Sequence, residues 1–249
     1  MDNYKKYILR MGDNALILGQ RLGEWCGHGP VLEEDIALTN IALDLIGQAR
    51  MVYQKVGALE NGARTEDDVA FLRDANEFYN VLLVEMENGD FAHTIARQFY
   101  FSAFQVPFLE RLAGSSDEFL RDFAFKSIKE ARYHLKHATQ WVLRLGDGTS
   151  ESHDRMQLAI NTLWEYTGEL FMTDDVDLEM ASLTGIHLED IHQMWLTHVR
   201  QTLEEATLDM PDESTWMQSG GKQGVHTEHL GYILTDMQWL QRAYPGAEW

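Results

Sequence analysis

Residues 33–56 read EEDIALTNIALDLIGQARMVYQKV, and within them Leu38, Ile41, Leu45, Ala49 and Val52 recur at steps of three and four. Steps of that size return to the same side of a 3.6-residue helix, so these five residues form one apolar stripe and the stretch predicts a core-facing helix. Its opening acids, Glu33, Glu34 and Asp35, stand where the partial positive charge of a helix N-terminus favours negative side chains.

The pattern repeats in both directions along the chain. Residues 11–25 carry a looser apolar period that the turn Gly27-His28-Gly29-Pro30 ends. Asp90 is placed to cap a helix over 90–112, inside which Pro107 predicts a kink. Ser116, Asp117 and Glu118 open another helix over 116–145, closed by Gly146-Asp147-Gly148. Residues 151–171, 187–208 and 228–244 predict three more. Prolines number only four, and no alternating β-branched run predicts a strand. Long helices joined by short Gly- or Ser-containing turns are the signature of an all-α bundle of antiparallel neighbours. Neither a repeat nor a linker interrupts it, so the expectation is a single domain over residues 1–249.

Composition narrows the function. The 20 Lys and Arg residues face 40 Asp and Glu, a formal net charge of −20. Such a surface repels phosphate, which argues against nucleic acid and anionic membrane as partners. The same field opposes a coenzyme A ester docking on this chain alone, unless a partner supplies positive groups. The single cysteine, Cys26, has no second thiol for an internal disulfide or a zinc ribbon. With no apolar run long enough for a signal peptide or a membrane span, a reducing cytoplasm is the expected location.

Bundles house metals, and the di-iron carboxylate kind needs a Glu three residues before a His on two helices, since residues three apart point the same way. An acid stands three before a His at Asp90/His93 and at Glu189/His192. With 40 acids and 10 histidines in 249 residues, chance supplies about two such pairs. Asp90 reads as a cap with His93 in the next turn, and Glu189/His192 as a solvated face. On the two longest predicted helices the pair is broken. Asp44 is followed at +3 by Gly47, and Glu130 by Tyr133, with His134 one step further. Two missing imidazoles leave a weak iron site, and a vestigial one is the simpler account.

Two other clusters compete with that account. Glu130, His134, His137 and Trp141 share one helix face, and two imidazoles three apart can chelate a metal; a hydrogen-bonded seam against another helix or a partner explains them equally well. His226-Thr227-Glu228-His229 resembles a chelating cluster and also reads as a helix start. The Gly-rich stretch before it lacks the GxxxxGK[ST] spacing of a phosphate loop. No residue is therefore assigned a catalytic or cofactor-binding role, and Asp44, Glu130, His134 and His137 stand only as vestigial metal candidates.

Four motifs, RLGEWCGH at 21–28, LDLIGQAR at 43–50, KEARYHL at 129–135 and GGKQGVHTEHLG at 220–231, resemble the C-subunit family of phenylacetate-CoA oxygenase (1,2-phenylacetyl-CoA epoxidase) in order and spacing, from the first helix to the last. The resemblance implies a ferritin-like helical fold that has lost the iron ligands kept by a catalytic sister subunit. It implies a non-catalytic structural subunit that stabilises that sister in an oxygenase which epoxidises the ring of phenylacetyl-CoA during aerobic phenylacetate breakdown. It further implies a hetero-oligomer with the catalytic di-iron subunit, a small bridging subunit and a reductase, so that the di-iron centre, NADPH, FAD and an iron-sulfur cluster belong to other chains. Gly47 and Tyr133 at the expected His positions agree with such a role.

For partner docking the Gly-rich run points to Lys222, His226, Glu228 and His229, as a docking or architectural element that a flexible backbone lets approach closely; the other reading is a turn that caps the last helix. Trp195, Trp216, Trp239 and Trp249 are candidates for either an interface or the core. Two further functions stay open from the residues alone: a metal-binding oxygenase or oxidase subunit with its own site around Glu130, His134 and His137 with Asp44, and a helical binding module with no oxygenase link.

Overall fold

The computed structural model describes residues 2–247, and no strand occurs among them. The fold is all-α and of the ferritin-like class, with ten α-helices among the described residues. They gather into two compact units. One takes the residues up to Glu87 together with those from Gly220 onward, and the other is Asn88–Ser219.

The first unit is built on α1 (Asn3–Gly23) and α2 (Leu32–Leu59). Lys5 pairs with Glu60, Gly12 lies against Val52 and Tyr53, and Gly19 lies against Ala42, Leu45 and Ile46. Partner numbers fall as α1 numbers rise, so the two helices are antiparallel. All five residues of the expected α2 stripe are buried, at most 1% exposed. The short helices α3 (Glu66–Phe71) and α4 (Leu82–Glu85) follow, and α10 (Glu228–Ala243) returns from the far end of the sequence. Gln238 of α10 donates to the carbonyls of Ala70 and Arg73, which fixes α10 on the α3 end of the unit.

A buried ion pair ties these pieces together. Asp13 Oδ1 accepts from the Tyr53 hydroxyl at 2.7 Å and from Arg73 Nη2 at 2.5 Å. Its Oδ2 accepts from Arg73 Nη1 at 3.0 Å and from the Tyr79 N–H at 2.8 Å. Arg73 also donates to the carbonyls of Val69 and Glu77 and lies 4.0 Å over the Phe78 ring. Burial works against the guanidinium charge, but the Asp13 carboxylate outweighs it and holds Arg73 further above its ordinary pKa. Burial, followed by the Asp13 charge, pushes the Tyr53 phenol up, so it stays a donor.

The second unit has a core of a different kind. Its long helices are α5 (Phe91–Leu112) and α6 (Glu118–Gly146), with α7 (Ser150–Trp164), α8 (Asp175–Thr184) and α9 (Leu188–Glu205) around them. Trp164 and Trp195 stack with ring centroids 5.6 Å apart, and Tyr100 and Phe171 pack on Trp195. Each polar handle in this cluster finds a carbonyl. Trp195 Nε1 donates to Tyr100, the Tyr100 hydroxyl to Ile160, and Trp164 Nε1 to Asp212.

The expected helix starts hold at Asp90, which accepts from the His93 N–H, and at Asp117, which accepts from the Leu120 N–H. Three boundaries differ from expectation. The first helix begins eight residues before residue 11, because Asp2 caps it and Tyr7, Ile8 and Leu9 are buried. The seventh stops at Trp164, where the Thr167 hydroxyl takes up the Trp164 carbonyl and a 3-10 turn follows. Residues 175–184, for which apolar period predicts no helix, form α8 between an Asp174/Asp177 capping box and Gly185 at φ 64°. Helix α5 runs through Pro107 to Leu112 as one element.

Asp13→Ala would leave the buried Arg73 charge without its carboxylate, and breaking a buried pair costs about 3–5 kcal/mol. Urea unfolding of the full chain should register that loss; a loss under about 1 kcal/mol would mean that Arg73 is satisfied by carbonyls alone.

Candidate functional site

The run at residues 220–229 wraps a buried carboxylate. Glu85, at the end of α4, is wholly buried and accepts four hydrogen bonds. Its Oε1 takes the Thr227 N–H at 2.7 Å and the Thr227 hydroxyl at 2.8 Å. Its Oε2 takes His226 Nδ1 at 2.9 Å and Asn80 Nδ2 at 2.9 Å. The Glu85 carbonyl accepts twice more, from Arg21 Nε and Nη2 at 3.1 and 2.9 Å. A carboxylate withdrawn from water is destabilised by several kcal/mol unless its oxygens are satisfied, and here each oxygen has two donors.

Local sequence explains how the segment gets so close. A Cβ on Gly221 would lie 2.1 Å from the Asn80 carbonyl oxygen, so only glycine lets the run lie against that backbone. Gly224 sits at φ 83°, and a Cβ there would stand 2.4 Å from the Asn76 carbonyl oxygen. Thr227 then caps α10 by accepting the His229 N–H, so one residue both starts the helix and binds Glu85.

His226 is the titratable member. Its Nε2 lies 2.9 Å from the Phe78 carbonyl oxygen, which only accepts, and its Nδ1 faces a carboxylate, so both ring nitrogens are set to donate. Burial pulls its pKa down, but the hydrogen bond and charge of Glu85, with the Phe78 carbonyl, prevail and raise it above 6.5.

The docking candidates are thus divided. Lys222 is buried and its carbonyl accepts from Arg10 Nη2 at 3.2 Å; the His226 side chain is 4% exposed. Glu228 is exposed in the first turn of α10 and His229 is half-buried. Lys222 and His226 are thus turned to the interior of this unit. Trp195 is core, Trp216 and Trp239 are exposed, and Trp249 lies outside the described residues.

The metal candidates fall on different sides of their helices. Asp44 is half-buried on α2, while Gly47 is exposed and the interior position is Gln48. On α6, His134 is buried, Glu130 and His137 are half-buried at its flanks, and Tyr133 is 48% exposed. The +3 positions that looked like lost ligands therefore face outward, and the +4 residues face in. Among the described residues, no three His, Cys, Asp or Glu side chains are grouped to hold a metal ion. Asp90/His93 is a cap contact, and Glu189 is exposed and bound by Gln193.

Sequence reasoning missed Glu85, Asn80, Asp13 and Arg73. A signal was available for two of them: Asp13 interrupts an apolar run in α1 and Glu85 another at 81–86. A lone acid in such a run is either a surface break or a buried group with dedicated donors. The donors themselves come from residues far away in sequence.

A cleft of about 530 Å³ lies on this unit beside Asp74, Leu234, Gln238, Trp239 and Arg242. Arg242 at its wall is engaged by the Arg73 carbonyl and the Asp74 carboxylate. Among the described residues, no helix is long and apolar enough to cross a membrane.

Comparison with known proteins gives the family. A family model described as phenylacetic acid catabolic protein matches residues 1–249. A relative from Escherichia coli (strain K12), the C subunit of 1,2-phenylacetyl-CoA epoxidase, is 48% identical over 251 residues, covering 100% of both chains.

Two outcomes test this arrangement. Because the folded pKa of His226 is raised, its stabilising contribution is complete below about pH 6.5 and is lost as pH rises through the folded value. The melting temperature should fall between about pH 6 and 9 by more in the native chain than in His226→Gln, and equal slopes would refute the coupling. Gly221→Ala should cost about 1–3 kcal/mol by overpacking, read as a lower melting temperature; an unchanged one would mean the run is not held against Asn80.

Proposed function

The chain belongs to the phenylacetic acid catabolic protein family, and we propose that it is the non-catalytic structural subunit of a multicomponent 1,2-phenylacetyl-CoA epoxidase. In this reading it stabilises a catalytic, ferritin-like di-iron subunit. A small bridging subunit and a reductase complete the assembly, and the di-iron centre, FAD, iron-sulfur cluster and the NADPH site reside on those other chains. The assembly works in the cytoplasm. The observation that carries the reading is the end-to-end similarity, 48% identity with full coverage of both chains, to a protein whose name makes it one subunit of an epoxidase.

Chemistry within the chain supports a scaffold. The buried carboxylates Asp13 and Glu85 are taken up as acceptors by Arg73, Tyr53, His226, Thr227 and Asn80, an arrangement that makes rigidity rather than a reactive group. The net charge of −20 disfavours coenzyme A phosphates on this chain, so the positive groups that hold the substrate's nucleotide end belong to the partner.

Metal content decides between this reading and a chain with its own centre. Expressed alone in iron-supplemented cells, the chain should carry less than about a tenth of an iron or manganese per molecule, while its complex with the catalytic partner should hold iron. About two tightly held metals per isolated chain would overturn the structural-subunit reading in favour of a metal site around Glu130, His134 and His137.

A further inference from the structure

The chain reads Glu-Asn-Gly twice, at residues 60–62 after α2 and at residues 87–89 before α5. Asparagine before glycine is a reactive pair, because no side chain on the glycine shields its nitrogen from the amide carbon of the asparagine. Local sequence makes the two sites alike, and the fold makes them different. At the first, the Gly62 N–H donates to the Gly57 carbonyl at 2.9 Å, which occupies the nitrogen and holds its proton. At the second, no hydrogen bond reaches the Gly89 N–H among the described residues. Glycine is also required there: φ is 55°, and a Cβ would lie 3.1 Å from the His93 Cβ.

Donors gather instead on the two oxygens of Asn88. The Thr94 hydroxyl donates to the Asn88 carbonyl at 2.9 Å and lies 3.3 Å from its Oδ1. Arg97, wholly buried, donates from Nη2 to the same Oδ1 at 2.6 Å. The Asn88 carbonyl belongs to the peptide unit whose nitrogen is that of Gly89, so a donor on it stabilises the anion left when this nitrogen loses its proton. Oδ1 is where negative charge collects when a nucleophile adds to the side-chain amide, and a buried guanidinium at that atom is an oxyanion donor. We infer that Asn88 is a self-modification site, converted to aspartate or isoaspartate through a cyclic imide with water as the co-reactant. The Gly89 nitrogen bonds to Asn88 Cγ, the Cγ–Nδ2 bond breaks, and the amide leaves as ammonia with the proton that the Gly89 nitrogen gave up. Water then opens the imide at either carbonyl, and nothing is oxidised or reduced. In the aspartate product a carboxylate inherits the Arg97 contact as a charge-assisted bond.

The test is peptide mapping by mass spectrometry on the purified full chain, incubated near neutral pH both folded and in urea. In the folded chain, position 88 should convert at least about tenfold faster than position 61, since one oxyanion donor is worth about 100-fold or more in rate. In urea the two sites should convert at similar rates, because both read Glu-Asn-Gly and neither keeps its fold-given partners. Thr94→Val, which removes the hydroxyl at nearly constant volume, should slow conversion at position 88 and leave position 61 unchanged. The comparison of folded and urea-treated native chain needs no variant to fold. Conversion at position 88 that is no faster than at position 61 in the folded chain would overturn the site. A lead of position 88 that persists at the same size in urea would overturn it too, by assigning the reactivity to local sequence.

Discussion

The first unit depends on satisfying one carboxylate. Glu85 sits at the end of a four-residue helix inside an apolar run, where an ionised group without donors is destabilised by more than a short helix can recover. Its donors come from both sides of the chain: Asn80 just before it, and His226 and Thr227 from a segment 141 and 142 residues later. Once those bonds form, the Gly-rich run must lie against residues 76–80, Thr227 must begin α10, and α10 must return across the α3 end of the unit. The glycines at 221 and 224 follow from that requirement, because a side chain at either place meets a carbonyl.

Asp13 and Arg73 repeat the device elsewhere in the same unit. Their pair joins α1 to the segment after α3, and Tyr53 and Tyr79 add α2 and the extended stretch before α4 to the same carboxylate. Polar networks of this sort lower the number of ways a core can pack, since each alternative leaves a buried charge unmatched. The second unit solves the same problem with aromatic rings whose single polar atoms each reach a carbonyl. One unit is specified by charge, the other by shape. Within the first, helix α2 is fixed along its inward face by α1 and by the Tyr53 contact to Asp13.

Much of the helical layout was legible because its causes are local. Apolar period placed α2, α5, α6, α9 and α10, and Asp90, Asp117 and Thr227 marked starts because a cap acts on N–H groups two or three residues ahead. The four motifs carried the family, since order and spacing survive where individual contacts cannot be read. The rotational phase of α2 was legible in its five-residue stripe, all of it buried, whereas the side of α6 that carries His134 was not. A step from position 47 to 48, or from 133 to 134, turns a helix by about 100°, so a search that asks only for a residue three positions on could not tell that Gln48 and His134 would face in while Gly47 and Tyr133 face out. Packing against α1 put Gln48 and Ala49 inside and Gly47 outside.

By itself, then, the sequence determined an all-helical chain, strongly acidic, with its helix ends and its family written in short-range signals. Only the tertiary structure decided that Glu85 would be the anchor of the Gly-rich run and that His226 would be buried against it. The reason is distance along the chain: a hydrogen bond between residues 141 positions apart leaves no mark in either local stretch, and forms only when the fold brings the two ends of that loop together.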